Sequence, residues 1–312
     1  ELQLCGLSPA AGPAPGGLCD GTADGIVTTP TLSVIVPVHR HWDLVPALLA
    51  GLAEQAPVPG GFEVLIVNND APEMPPALDL PQGVRRIDCA EPGSYTGGIA
   101  GAAAACGNWV IFTDGDCRPR PGWLAALAAA AAETPGTLLA GPVEIAPPAR
   151  DSAAAIYDRV RGIPQARYVS RGYAATANLA VPRAAFRAVG GFEPDRFSGG
   201  DAVFCRAAAR HGFPIRLVAG AVVTHAARTD WEALVTKARR IKGGQIRAGP
   251  LGRRLAWGLR TLSPPVRDTL AYLRAPHPAR DRAIAIGVRQ RLWTIEVAEM
   301  IRLLAGGSPE RR

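Results

Sequence analysis

The chain has 312 residues, 48% of them apolar and 20% charged, which supplies enough apolar surface for one large core. No stretch approaches the roughly 18 uninterrupted apolar residues of a membrane-crossing helix, so the chain is not expected to span a bilayer. Lysine and arginine number 34 against 27 acidic residues, a net charge of +7 that attracts phosphorylated ligands and anionic lipid, while the scarcity of aromatic residues among the basic ones after Lys237 argues against nucleic acid as a partner.

Residues 1–30 are rich in Gly, Pro, Ala and Thr without apolar periodicity, a composition that buries too little surface to offset its ordering entropy, and a flexible arm is expected there. They show no basic segment followed by an apolar core, so the expected location is cytoplasmic. Leu32–Val38 is a short β-branched run suited to a strand buried on both faces. An amphipathic helix is expected over Trp42–Gln55, then a second buried strand over Phe62–Val67 that ends at Asn68-Asn69-Asp70. A weaker strand follows at Val84–Asp88, an Ala/Gly-rich helix at Gly98–Cys106, and a fourth strand, Trp109–Thr113, that runs into Asp114-Gly115-Asp116. In an open α/β sheet ligands bind at the carboxyl ends of strands, where both polar triplets fall.

Farther on, helices are expected at Trp123–Glu133, Ser152–Arg161, Pro182–Val189 and Asp201–His211, with strands in Gly172–Val181, Ile215–Val218 and Ala221–His225. Helical spacing dominates after Trp231. The six cysteines, Cys5, Cys19, Cys89, Cys106, Cys117 and Cys205, form no C-x-x-C pair and lie at no zinc-finger spacing, so free thiols are expected.

The sharpest local signal is Asp114-Gly115-Asp116. Two carboxylates one residue apart, just past a buried strand, can face a hard divalent cation whose remaining sites are filled by phosphate oxygens. Alone, such a triplet is also an ordinary solvated turn. Its setting decides for the cation: Val34-Ile-Val-Pro-Val38, Val64-Leu-Ile-Val-Asn-Asn69 and Phe112-Thr-Asp-Gly-Asp-Cys-Arg-Pro119 resemble, in order, successive blocks of the family 2 glycosyltransferases. The likeness continues through Pro92-Gly-Ser-Tyr95, Ala177-Asn-Leu-Ala-Val181, Gly190-Gly-Phe-Glu193, Ser198-Gly-Gly-Asp201 and Val222-Val-Thr-His225.

The resemblance implies a GT-A fold, an α/β architecture with a mostly parallel central sheet flanked by helices. It implies a catalytic domain over 31–245, with a nucleotide-binding half at 31–120 and an acceptor-binding half at 121–245, followed by a basic helical extension at 246–312. It implies an inverting transfer of sugar from a nucleoside diphosphate sugar, a UDP-sugar being favoured, to a hydroxyl acceptor, with Mn2+ or Mg2+ as cofactor. Residue by residue, Pro37, Val38, His39, Asn68, Asn69, Asp70, Ser94, Tyr95, Asp114 and Gly115 match the donor-holding segments. Asp114, Asp116 and His225 match metal positions, Asp201 the catalytic base, and Asn178, Gly199 and Gly200 the acceptor side. Arg239, Arg240 and Lys242, on a basic segment that reads as mobile before Gly243-Gly244, are placed to close over the leaving diphosphate.

Each role has a plainer alternative: strand capping for Asn68 and Asn69, a helix N-cap for Asp201, a structural histidine for His225, an exposed basic face for the arginines. Two departures stand out. Many relatives carry Glu where this chain has Gly200, and an Arg-Asn pair where it has Gly98-Ile99. They favour the alternative of a catalytically silent protein that binds a glycan or nucleotide sugar; the retained Asp114, Asp116 and Asp201 favour the enzyme. A dinucleotide-binding dehydrogenase would need a glycine-rich turn after the first strand, where His39-Arg40-His41-Trp42 stands, and a P-loop is absent.

Leu251–Leu304 mixes Arg with Leu, Ile, Val and Trp at helical spacing, which fits either a membrane interface, at the inner face of the cell membrane, or packing against the catalytic domain or another subunit. In the first case a lipid-linked or surface-polysaccharide acceptor is natural; a glycan or small hydroxyl compound serves the second.

Overall fold

The structure is a computed structural model that describes residues 31–70, 79–148, 150–196 and 198–310; the arm expected at 1–30 lies outside them. The apolar runs form strands where their β-branched residues place them: β1 (Leu32–Val38), β2 (Phe62–Asn68), β3 (Val84–Asp88) and β4 (Trp109–Thr113). With β6 (Leu138–Ala140), β8 (Asn178–Pro182) and β9 (Ile215–Leu217) they make a seven-stranded sheet ordered β3-β2-β1-β4-β8-β6-β9. The pairs are parallel except on either side of β8, which runs antiparallel to β4 and β6. A second sheet, β5 (Cys117–Pro119), β10 (Val223–His225) and β7 (Val143–Ile145), holds three short strands with β10 in the middle.

Helices cover both faces of the large sheet. On one face, Val34, Val36 and Ile66 pack with Leu48 and Leu52 of α1 (Val45–Ala53) and with Trp123 and Leu127 of α3 (Trp123–Glu133). On the other, Ile35, Leu65 and Val67 meet α2 (Ser94–Ala104), whose Gly97 and Gly101 let it approach the strands: a Cβ on Gly101 would lie 2.4 Å from Ile35. α2 begins four residues before the expected start, which puts Ser94 and Tyr95 in its first turn.

Beyond β7 come α4 (Ala153–Arg161), α5 (Gln165–Val169), α6 (Arg183–Val189) and α7 (Gly200–Arg210), and the chain continues through α8 (Trp231–Ile246), α9 (Leu251–Leu262), α10 (Val266–Leu273) and α11 (Ala279–Leu304). Ser152 caps α4 and Asp230 caps α8, each accepting from the N–H three residues on. α11 packs on α4 and α8 through Ala285, Leu292 and Tyr157, and Arg159 on α4 reaches Asp281 on α11 at 3.0 Å. Cys106 is disulfide-bonded, so the free-thiol expectation holds only for Cys89, Cys117 and Cys205 among the described residues.

Candidate active site

β4 ends at Thr113, and Asp114 and Asp116 follow before the chain turns into β5. Cys117 of β5 pairs antiparallel with His225 of β10, and this register brings a histidine 109 positions away beside the acid pair. His225 Nε2 lies 3.3 Å from Asp116 Oδ2. Its Nδ1 is 2.7 Å from the carbonyl oxygen of Ala226 and donates there, which turns Nε2 toward a carboxylate oxygen. A proton or a metal cation between Nε2 and Oδ2 satisfies both atoms. Asp116 Oδ1 is buried and has no hydrogen-bond partner among the described residues, a second coordinating oxygen.

Asp114, Asp116 and Cys117 offer ligand atoms within 4.8 Å of one another. The thiol does not suit the role: Cys117 Sγ points 3.8 Å from the Ala177 carbonyl oxygen, and burial, followed by the charges of Asp114 and Asp116, pushes its pKa well up, so it stays neutral. The donors that suit a hard divalent cation are the two carboxylates, with His225 beside Asp116. Burial and then the Asp116 charge also raise Asp114, against the pull of His225, Arg228 and Lys237.

Asp201 occupies the first turn of α7, which begins after Gly199 at φ 75°. Tyr95, Asp114 and Pro37 line one small cleft with Ser94, Thr113 and Phe192. The Tyr95 hydroxyl accepts from the Gly200 N–H at 2.9 Å, so the tyrosine holds the start of the helix that carries Asp201 against the cleft that contains Asp114. Burial, then the Asp114 charge, pushes the Asp201 carboxyl up to about 6, against its hydrogen bonds from the Ala202 N–H and Tyr95.

The two departures from the family pattern are filled by aromatic rings. A Cβ on Gly200 would lie 2.7 Å from the Tyr95 ring, and one on Gly98 would lie 3.2 Å from Phe192. Phe192 belongs to a cluster with Tyr95, Phe112, Phe186 and Phe204, ring centroids 5.0 to 5.6 Å apart.

A family model described as Glycosyl transferase family 2 matches residues 33–187. The chain is 29% identical over 235 residues to a glycosyltransferase, AglE, of Haloferax volcanii, a match that covers 72% of this chain and 76% of the relative. Its fold matches the mannosyltransferase PcManGT of Pyrobaculum calidifontis, solved with GDP-mannose and Mn2+, at a TM-score of 0.55 and 17% identity over 88% of this chain and 87% of that one. The chain belongs to glycosyltransferase family 2. The layered α/β fold with its largely parallel sheet is the GT-A fold of such enzymes.

Other residues singled out in the sequence of this family 2 chain serve the scaffold. Asn69 donates to the Glu91 carbonyl at 2.7 Å and accepts from the Gly93 N–H at 3.0 Å, so its amide fastens the loop before α2. Asn68 donates to Asp88 and accepts from the Asp70 N–H. Asp70 accepts from the Arg40 N–H and the Trp42 indole and pairs with His39; burial alone would raise its carboxyl, but these partners hold it below the ordinary range. Together they fix the turn after β1. Asn178 is wholly buried: it donates to the Pro142 and Ala221 carbonyls and accepts from the Trp123 indole, so it faces inward.

Arg239 and Arg240 do not lie on a mobile segment. They sit within α8, because Gly243 and Gly244 are packing glycines: a Cβ on Gly244 would lie 3.1 Å from the Ser198 carbonyl oxygen and one on Gly243 2.9 Å from Pro309. Arg239 is exposed, whereas the charge of Arg240 reaches Tyr95 beside Asp201. Lys242 turns away, donating to Gln245 and Thr261 at 2.8 Å. Two cations that sequence reasoning passed over, Arg228 and Lys237, act on Asp114; no local pattern marks either.

Proposed function

We propose that this chain moves a sugar from a nucleoside diphosphate sugar to a hydroxyl acceptor with inversion at the anomeric carbon, using Asp201 as general base. The observation that supports this reading is Tyr95, which lines the cleft of Asp114 and accepts from the Gly200 N–H at the start of the Asp201 helix. Asp201 takes the proton of the acceptor hydroxyl as that oxygen bonds to the anomeric carbon, and the bond to the diphosphate breaks on the opposite face. A carboxyl near pH 6 suits that task at neutral pH, ionised yet basic enough to accept. Asp114, Asp116 and His225 would hold Mn2+ or Mg2+, which when bound supplies positive charge to the diphosphate. Pro37, Val38, Ser94 and Gly115 border the donor, and Arg240, Arg228 and Lys237 add positive potential around it. Gly199 and Gly200 shape the acceptor side.

We also propose that the enzyme works at a membrane surface. No helix among the described residues is long and apolar enough to cross a membrane. α9 instead exposes Leu251, Leu255, Leu259 and Leu262 along one face, and α10 exposes Val266, Leu270 and Leu273, with Arg253, Arg254, Arg260, Arg267 and Arg274 in the same stretch. An apolar stripe with flanking arginines is the pattern of a helix lying in an anionic interface.

The test is hydrolysis of a panel of UDP- and GDP-sugars by the purified protein with Mn2+ or Mg2+. Slow, metal-dependent hydrolysis of at least one donor is expected, and Asp116→Ala should abolish it. Turnover that ignores chelator and Asp116→Ala overturns the metal clamp; no turnover with any donor returns the reading of a silent binding protein.

A further inference from the structure

A second cavity, of about 790 Å3, lies between α4, α8 and the α9–α11 helices, apart from the Asp114 cleft. Its volume matches that of small-molecule sites. Seven cationic side chains line it against three acidic ones. The acids are all engaged: Asp158 accepts from Arg228 at 3.1 Å, and Asp268 and Glu296 both bind Arg289. Arg161 and Lys237 are left with no hydrogen bond or ion pair to any described residue, although both line the cavity. Asp158 acts on both, but its carboxylate is already bonded to Arg228, so two half-buried cations share one engaged counter-charge, an arrangement that an anion between them stabilises. Burial, with the charges of Arg161 and Arg228, drives the Lys237 ammonium well below its ordinary range, a penalty that an anion would reverse.

Two further observations say which anion. Tyr157, Tyr272, Trp257 and Trp293 give the cavity an apolar wall beside its charges. Its roof is α9 and α10, whose inner faces contribute Trp257, Arg260, Thr261 and Tyr272 and whose outer faces carry the leucine stripe, Leu255 being 59% and Leu259 71% exposed. One helix pair thus presents hydrocarbon-seeking side chains outward and an anion-seeking, aromatic chamber inward. The chamber adjoins the catalytic cleft, because Lys237 lines it and also acts on Asp114.

We propose that this cavity binds the phosphate or diphosphate headgroup of a lipid drawn from the bilayer on which α9 and α10 rest. The inference rests on the transfer reading for its purpose, presenting a lipid-borne acceptor to Asp201, but the binding itself requires no transfer. Arg161 and Lys237 pair with the phosphate oxygens, Arg267 guards the rim, and the aromatic wall takes the first carbons of the chain.

Calorimetric titration of the full chain in chelator, so that the acid pair holds no metal, tests it with farnesyl diphosphate, farnesol and inorganic pyrophosphate. Farnesyl diphosphate should bind, with farnesol and pyrophosphate at least about tenfold weaker, a difference of about 1.4 kcal/mol. Arg161→Ala and Arg267→Ala should each weaken it about fivefold or more while leaving UDP and GDP binding with Mn2+ as in the parent. If Arg161→Ala fails to melt cooperatively, the rim variant Arg267→Ala carries the comparison. No binding of farnesyl diphosphate, or equal binding by parent and variants, overturns the proposal, and pyrophosphate binding as tightly as farnesyl diphosphate overturns the lipid source. Prenyl binding in a protein that hydrolyses no nucleotide sugar supports the cavity and sinks the transfer reading alone.

Discussion

At the scale of single residues, the carboxyl of Asp201, the base of the proposed transfer, ties that proposal to stability. Its folded-state value of about 6 lies above the roughly 3.9 of an unfolded Asp, so folding opposes its ionisation. The penalty is absent below about pH 4, grows between about pH 4 and 6, and is complete above. Asp201→Asn should therefore melt higher than the parent at pH 8 in chelator, by an amount on the order of 2 to 3 kcal/mol at most, and no higher at pH 4. The same variant should lose roughly 10² to 10⁴-fold in transfer rate. Equal melting at both pH values would remove the desolvated carboxyl on which the proposed base rests. Tyr95→Phe keeps the ring but strips the Gly200 N–H of its acceptor, a cost of about 1 to 3 kcal/mol. Because the hydroxyl also lowers Asp201, the acid limb of the pH–rate profile should move to higher pH in Tyr95→Phe, a change that simple loosening of α2 would not produce.

At the scale of elements, strands whose apolar runs fill five to seven positions were legible, as β1, β2 and β4 show. β5, β6 and β7 have three residues each, too few to display a period, and β5 with β10 is what sets His225 beside Asp116. The acid pair was readable as a motif, whereas His225 and Asp201 were reached only through the family resemblance, and Arg228 and Lys237 not at all. Asn69, Asn68 and Asn178 read as ligand-facing amides because their true partners, in the Glu91–Gly93 loop, at Asp88 and at Pro142 and Ala221, come from segments that only the fold brings near. Gly243-Gly244 read as a breaker because sequence cannot distinguish a flexible glycine from one pressed against Ser198. Asn178 joins β8 to α3 and to the β10 approach, and Asn178→Ala would orphan the Trp123 indole and two buried carbonyls. It should destabilise the fold by about 3 kcal/mol or more by denaturant titration; a loss under about 1 kcal/mol would show that water replaces the amide.

For the whole molecule, the carboxyl-terminal helices differ in what they present. α11 packs inward on α4 and α8, while α9 and α10 turn their leucines out. Paired Leu255→Gln and Leu259→Gln should abolish cosedimentation with anionic vesicles and leave the melting temperature unchanged, since both side chains are exposed. Undiminished cosedimentation would assign the stripe to something other than lipid. The Tyr95 ring pressed over Gly200 carries a consequence for ancestry. An acidic residue cannot enter position 200 while the ring stands there, and losing the ring first opens a void and leaves an amide bereft. Neither order of single changes gives a comfortable intermediate, so positions 95 and 200 should be inherited together, and the swap between this arrangement and one with a carboxylate at position 200 is a step that descent crosses seldom.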